Sequence, residues 1–282
     1  MIDALLHFDF MRYSFLCGML IGILAPLIGT FIVVRRLSLI ADALSHVTLG
    51  GISFGMLVAK WLAPIAISPI WFGILFSVTG ALLIERLRSV YKHYQELSIP
   101  IIMSLGIGLS VVFISLADGF NQDLFGYLFG SISAVTLADL LTIIAIFIIV
   151  VLFIFLLYKE LFMLSFDEEY AQIIGVPKYL HVLFMLMVAL VISASMRIVG
   201  ILLVSSLITL PVASAMRFAR GYKELMLWSV IFGEGSVILG LIFAFYLNIS
   251  PGGVIVLLLI VILLCAILYQ KKREQGGMLD EN

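Results

Sequence analysis

Charge is what this chain has least of. Only 12% of its 282 residues are Asp, Glu, Lys or Arg, against the roughly 25% typical of soluble domains. Too few charged side chains exist to cover a water-facing surface, which excludes an ordinary soluble fold. Cysteine is nearly missing as well. Cys17 and Cys265 both fall inside apolar runs, where they read as small buried hydrophobes, and a disulfide scaffold is excluded. No G-x-x-x-x-G-K-[ST] loop and no H-E-x-x-H pair occurs anywhere, so the chain carries neither a P-loop ATPase nor a zincin site of its own. Long polar connections are lacking too. The largest span 85–97, 119–134 and 159–178, which leaves no room for a soluble catalytic domain. The first Lys or Arg is Arg12, so the basic region that precedes a cleavable signal is missing and an uncleaved first span is expected. A net charge of -1 offers no footing for nucleic acid.

What is present is apolar sequence, 63% of the chain. A helix needs about 20 apolar residues to cross a bilayer, and such runs follow one another almost end to end. Polar and Gly/Pro punctuation delimits 12–34, 40–60, 63–84, 98–118, 135–158, 179–197, 199–217, 225–247 and 252–270. The joints near 62 and 198 are so short that tight hairpins or re-entrant pieces are expected there. The predicted fold is all-α: a polytopic transmembrane bundle of about eight or nine segments, forming one domain over 1–282. Eight full spans plus one broken one is the favoured count.

Basic residues set the predicted orientation. With the stretch after 270 placed in the cytoplasm, thirteen fall on inner connections: Arg35, Arg36, Arg86, Arg88, Lys92, Lys159, Lys178, Arg217, Arg220, Lys223, Lys271, Lys272 and Arg273. Only Arg12, Lys60 and Arg197 fall outside. The tail 271–282 is then cytoplasmic and the N-terminus extracellular.

An ionisable group inside a span costs at least about 2.5 kcal/mol on the insertion scale, so each is a candidate functional residue. Asp42 and His46 stand four residues apart in "RRLSLIADALSH", on one helical face. At 1.5 Å per residue they lie roughly 9 and 15 Å beyond Arg36. Carboxylate and imidazole suit zinc, manganese or iron; the same spacing equally suits an ion pair that locks helices together. Glu234 is a possible third ligand, or a partner for a hydroxyl on a neighbouring helix. Asp139 sits near an interface within reach of water, and His181 at an inner edge. Gly50 and Gly51 belong to a run of small residues that lets helices pack closely. Pro211 kinks the 199–217 segment, as a hinge or as static packing. In "LSFDEEYAQIIGVP" (164–177), acidic residues open a short helix and Gly-Val-Pro ends it. Phe166, Tyr170, Ile173 and Ile174 recur along it at helical spacing, which suits either docking or a plain connector.

Five ordered stretches, "RRLSLIADALSH", "LFGSIS", "SFDEEYAQIIGVP", "VGILLVSSLITLPVASAMR" and "NISPGGVIVLL", resemble the permeases of bacterial metal-ion ABC importers. The likeness covers essentially the whole chain and is nearest to the ZnuB/AdcB-type zinc permeases of Gram-positive bacteria. It implies the metal-chelate/vitamin B12-like permease fold and a homodimer. It also implies a cytoplasmic ATPase dimer that binds the ATP, and an extracytoplasmic metal-binding lipoprotein. Zn2+ would be the cargo, with Mn2+ the alternative, and no cofactor would be covalently held. Asp42 and His46 match the family's metal-contacting aspartate and histidine. The loop 165–177 matches the coupling helix, with Asp167, Glu168, Ala171 and Gly175 the positions to watch. Manganese members often carry Pro-Gly after the histidine and a further histidine in a late span. Here the run is "SHVTLGGISFG", and no histidine follows His181.

A metal must find the imidazole neutral, so protons compete for it. Metal uptake should weaken as pH falls through the histidine range, from about pH 8 to 5; uptake affinity measured across that range and found flat would exclude imidazole ligation.

Overall fold

A computed structural model describes residues 7–61, 68–91, 93–117, 119, 122–177 and 179–280, with backbone alone at 122, 168, 172 and 273–280. Among the described residues every regular element is helical: α1 (Asp9–Val34), α2 (Leu39–Trp61), α3 (Pro69–Val90), α4 (Ser98–Leu116), α5 (Gln122–Phe129), α6 (Leu137–Leu156), α7 (Tyr158–Phe166), α8 (Glu168–Ile173), α9 (Tyr179–Val199), α10 (Ile201–Ala215), α11 (Tyr222–Leu247) and α12 (Pro251–Asp280). Among the described residues eight helices are long and apolar enough to cross a membrane. The start of the expected 63–84 segment lies outside the described residues; its helix begins at Pro69.

The ninth, α10, has 15 residues, or about 22 Å at 1.5 Å per residue, short of the roughly 30 Å hydrocarbon core. Its two ends still lie at opposite ends of the bundle. Gly200, just before it, meets the α5 terminus, while Arg217, just after it, reaches Gln270 at 3.4 Å and the Phe218 ring lies tilted against Tyr269, 5.5 Å between centres. The chain therefore enters at one end and leaves at the other. The two sets of basic residues separate accordingly. Arg35, Arg88 and Arg217 mark one end, hereafter the basic end, where Arg35 and Arg88 both meet His181. Lys60 and Arg197 mark the other, Lys60 reaching Leu116 O at 3.4 Å and Arg197 reaching Ala134 O at 2.7 Å. Lys92 and Lys178 lie outside the described residues.

Helices α2 and α9 run through the centre, each with 72% of its apolar window buried. Lipid offers no hydrophobic drive to bring helices together, so close backbone contact supplies the cohesion. A Cβ on Gly51 would lie 2.7 Å from Phe76 Cβ and 2.9 Å from Gly73 Cα on α3, and one on Gly106 of α4 would lie 2.6 Å from Val47 N. Hydroxyls turn back onto their own helices: Ser45 to Ala41 O and Ser53 to Leu49 O at 2.8 Å, Ser195 to Val191 O at 2.7 Å. None of them needs a partner in lipid.

The joint near 198 is a kink at Gly200, with φ 86° and ψ 148°, a conformation open essentially to glycine alone. Its α-carbon also lies against the α5 terminus, where a Cβ would come within 2.5 Å of Leu128 O and 2.6 Å of Gly130 N. Ser131 N bonds Arg197 O at 3.0 Å and Ser250 Oγ bonds Phe129 O at 2.6 Å. The α5 terminus, the α9–α10 kink and the start of α12 thus close on one another, which is why three of the five sequence stretches meet here.

Gly200→Ala should cost at least about 1–3 kcal/mol through backbone strain alone, seen as a lower midpoint of thermal unfolding in detergent. Gly108→Ala in α4, where a Cβ meets nothing within 4 Å, should be neutral or stabilise by up to about 1 kcal/mol.

Candidate functional site

Helix α1 closes on Arg35, and Arg36 adopts φ 58°. Leu37 N then bonds Ile32 O at 2.9 Å and Arg36 N bonds Val33 O at 3.0 Å; this paired pattern is a Schellman stop. Two residues later α2 begins, so Asp42 and His46 fall in its first two turns. Both are half-buried on a helix whose neighbouring positions Ala41, Ala43, Leu44, Ser45 and Val47 are buried. They share a face, as their spacing predicts, and that face opens out of the protomer.

Ser205 Oγ of α10 donates to Asp42 Oδ1 at 3.4 Å. Ser206 and Thr209 are half-buried on α10 as well. The Thr209 hydroxyl bonds Ser205 O at 2.8 Å, in the turn before Pro211, and α10 runs unbroken through that proline. Ser110 Oγ reaches the His46 carbonyl at 3.3 Å, a contact that does not use the imidazole. Among the described residues neither Asp42 nor His46 enters an ion pair. The helix-locking pair that the spacing also allowed is not formed.

Glu234 stands elsewhere. It lies midway along α11 against Gly22 of α1, and both of its oxygens are buried without a hydrogen-bond partner. Pro26 lacks the N–H that would bond Gly22 O, and that carbonyl faces Gly233, whose Cβ would lie 2.8 Å away. The structure therefore brings Asp42, His46 and Ser205 together and leaves Glu234 in the α1–α11 seam. Among the described residues no three His, Cys, Asp or Glu side chains gather into a metal-binding group. One protomer offers a carboxylate, an imidazole and hydroxyls, an incomplete shell for a transition metal.

At the basic end, α7 and α8 form the 158–173 connection. Asp167 Oδ1 accepts from Tyr170 N at 2.9 Å, an N-cap for α8. Gly175, at φ 100°, ends the helix with Val176 N on Ala171 O at 2.9 Å. Ala171 is wholly buried, whereas Phe166, Tyr170, Ile173 and Ile174 are exposed. Asp167, Ala171 and Gly175 therefore build and seat the helix that Glu168 opens, and the four apolar side chains form its free surface.

Two polar clusters escape sequence reasoning. Asp139 is not at a wet interface: only 6% exposed, it pairs with Arg197 at 3.0 Å and forms a capping box with Thr136. Arg197 also donates to Tyr127 Oη at 2.9 Å, and burial pushes that phenol's pKa up while Arg197 pulls it down. His181, expected at an edge, is 3% exposed and lies 2.9 Å from Glu85 Oε2. The ion-pair partners Arg197 and Glu85 come from other helices, so no local spacing announces them.

The model of the ABC 3 transport family matches residues 7–270. A probable metal transport system membrane protein from Treponema pallidum (strain Nichols) is 37% identical over 88% of this chain and 91% of its own length. The manganese import system permease protein ScaB of Streptococcus parasanguinis is 34% identical over 90% and 88%. Among solved structures, PsaBC from Streptococcus pneumoniae in complex with Fab superposes with a TM-score of 0.81, at 29% identity, over 94% of this chain and 93% of that one.

Stability should separate the two kinds of polar group. Asp42→Asn and His46→Gln should change unfolding free energy by no more than about 0.5 kcal/mol. Arg197→Met, which strands buried Asp139, should cost about 3–5 kcal/mol. Chemical denaturation in detergent measures both.

Proposed function

The chain belongs to the ABC 3 transport family, and on that premise we propose that it is the permease through which an ATP-driven importer passes a divalent transition metal into the cytoplasm. The observation that carries this reading is the Asp42–His46 face: two ligand side chains outside any ion pair among the described residues, half-buried on a mostly buried helix. Water and lipid are poor reasons to keep such a pair there. A second copy of the chain, facing the first across this opening, would double the donors to two carboxylates and two imidazoles. In this reading the homodimer forms the path, with Ser205 steadying Asp42 and Glu234 standing outside it.

The basic end faces the cytoplasm, by the positive-inside rule, so the N-terminus is extracellular and 271–282 cytoplasmic. The α7–α8 connection docks on a separate ATPase dimer through Phe166, Tyr170, Ile173 and Ile174, framed by Asp167, Glu168, Ala171 and Gly175. This supplies the hydrolysis that the chain lacks. The metal arrives at the opposite end from an extracytoplasmic binding lipoprotein. Pro211 serves as a hinge beside the path, and Gly50 and Gly51 hold α2 against its neighbours.

Manganese is the reading that the ScaB relative favours, and a carboxylate–imidazole set without thiolate accommodates it. Zinc is the second reading, favoured by the "SHVTLGGISFG" run and the lack of a late histidine. A proton-driven secondary transporter would want Asp42, His46 and Glu234 in one relay, and Glu234 lies in a different seam.

In cells lacking their own importer, His46→Ala at wild-type abundance should abolish growth on limiting metal, and Asp42→Ala should do the same. Normal uptake in the His46→Ala cells would refute the site. Growth rescue by manganese alone, zinc alone or both separates the two metal readings. Uptake by the purified chain without ATP, under a pH gradient, would refute ATP coupling.

A further inference from the structure

The basic end holds a second constellation, which the metal path does not use. His181 sits in the first turn of α9, almost wholly buried. Its Nδ1 meets the Arg35 guanidinium and its Nε2 meets Arg88, with Glu85 Oε2 2.9 Å from Nε2. Arg88 also donates to Gln95 Oε1 at 3.0 Å and lies 3.6 Å from Glu85. Arg35 lies over the Phe184 ring, 5.4 Å from its centre. Three helix ends, those of α1, α3 and α9, are thereby tied through one imidazole. A neutral imidazole has one donor and one acceptor nitrogen. An N–H at Nε2 donates to Glu85 and leaves the Nδ1 lone pair to accept from Arg35, so Arg88, which can only donate, serves Glu85 and Gln95 rather than the ring.

The constellation has neighbours on both sides. On one side is an aromatic hub around Tyr222: its ring lies 5.1 Å from Phe162 and 5.9 Å from Phe166 of α7, and 5.5 Å from Phe31 of α1. Phe31 in turn meets Phe184 at 6.1 Å, directly beneath Arg35. On the other side Arg35 caps α1, and the hydrogen-bonded turn Arg36–Leu37 hands the chain to α2, Ile40 N bonding Leu37 O at 2.9 Å. Asp42 is two residues further on. Packed rings and a closed turn deform little, so a displacement of α7 has a contiguous route to Asp42 and His46. Interfaces held by such ion-pair networks change between discrete arrangements rather than stretching.

We propose that Arg35, Glu85, Arg88 and His181 are the transmission joint of this permease. His181 is a positioning residue that makes the metal path follow the ATPase-docking segment. The inference rests on the reading of the chain as an ATP-driven permease. It assigns to His181 and Glu85 a role in coupling, apart from metal contact and apart from ATPase docking.

The test uses the complete complex of permease, ATPase and binding protein in proteoliposomes, supplied with manganese or zinc ions alone. Metal taken up and ATP hydrolysed are measured in the same vesicles. In His181→Ala and Glu85→Gln the ATPase should still copurify and hydrolyse ATP, while metal imported per ATP falls about tenfold. His181→Gln, which keeps one donor and one acceptor, should recover part of that ratio. A merely structural role would lower import and hydrolysis by the same factor. That parallel loss in Glu85→Gln, the variant that conserves size and shape, would overturn the proposal, as would an unchanged ratio in both variants. ATP-independent import by the wild-type complex would instead overturn the functional reading, and the joint with it; the wild-type measurement thus tells the two failures apart.

Discussion

Inside a bilayer no water is available to a stranded polar group, and nearly every polar side chain of this protein is placed in answer to that constraint. Serines and threonines bond carbonyls of their own helices. Asp139 is neutralised by Arg197 while it caps α6. His181 is enclosed by Glu85 and two arginines. With these accounted for, Asp42 and His46 stand out because neither enters an ion pair among the described residues, and Glu234 because its oxygens are buried with no hydrogen-bond partner among them. The same constraint gives these three a different standing from any surface carboxylate or imidazole of a soluble protein.

Close approach of backbones is the second device, and it serves the first. Contacts at Gly51 and Gly106 bring neighbouring backbones against the helix that carries Asp42 and His46. At the opposite end from the basic cluster, Gly200 allows the chain to reverse within a single residue. Helix α10 can then lie beside α2 and bring Ser205 to Asp42. A longer connection would have moved α10 away and left the carboxylate without its hydroxyl. The glycine kink thus helps to place Ser205 beside Asp42.

The two ends of the bundle are built for different tasks. The end bearing Arg197 is closed by backbone-to-backbone contacts among α5, α9, α10 and α12, together with one buried ion pair. The basic end is held by aromatic rings and a charge cluster, beneath an exposed apolar helix that looks for a partner. A charge cluster can regroup between discrete arrangements in ways that interlocked backbones cannot.

Periodicity and composition in the sequence already determine the class of fold and the succession of apolar segments. Spans are long apolar runs and basic residues cluster on one side, both local properties. The shared face of Asp42 and His46 was legible for the same reason, since an i,i+4 spacing has one helical outcome, and so was the capped α8 with its Asp167 and Gly175. Only the tertiary structure decided that Glu234 lies in the α1–α11 seam, that Asp139 belongs to Arg197, and that His181 joins three helices. Each of these depends on which helices become neighbours and on their rotation about their own axes. Residues distant in sequence meet only through packing, and apolar helices of similar composition look alike until glycines and proline kinks choose which faces can touch.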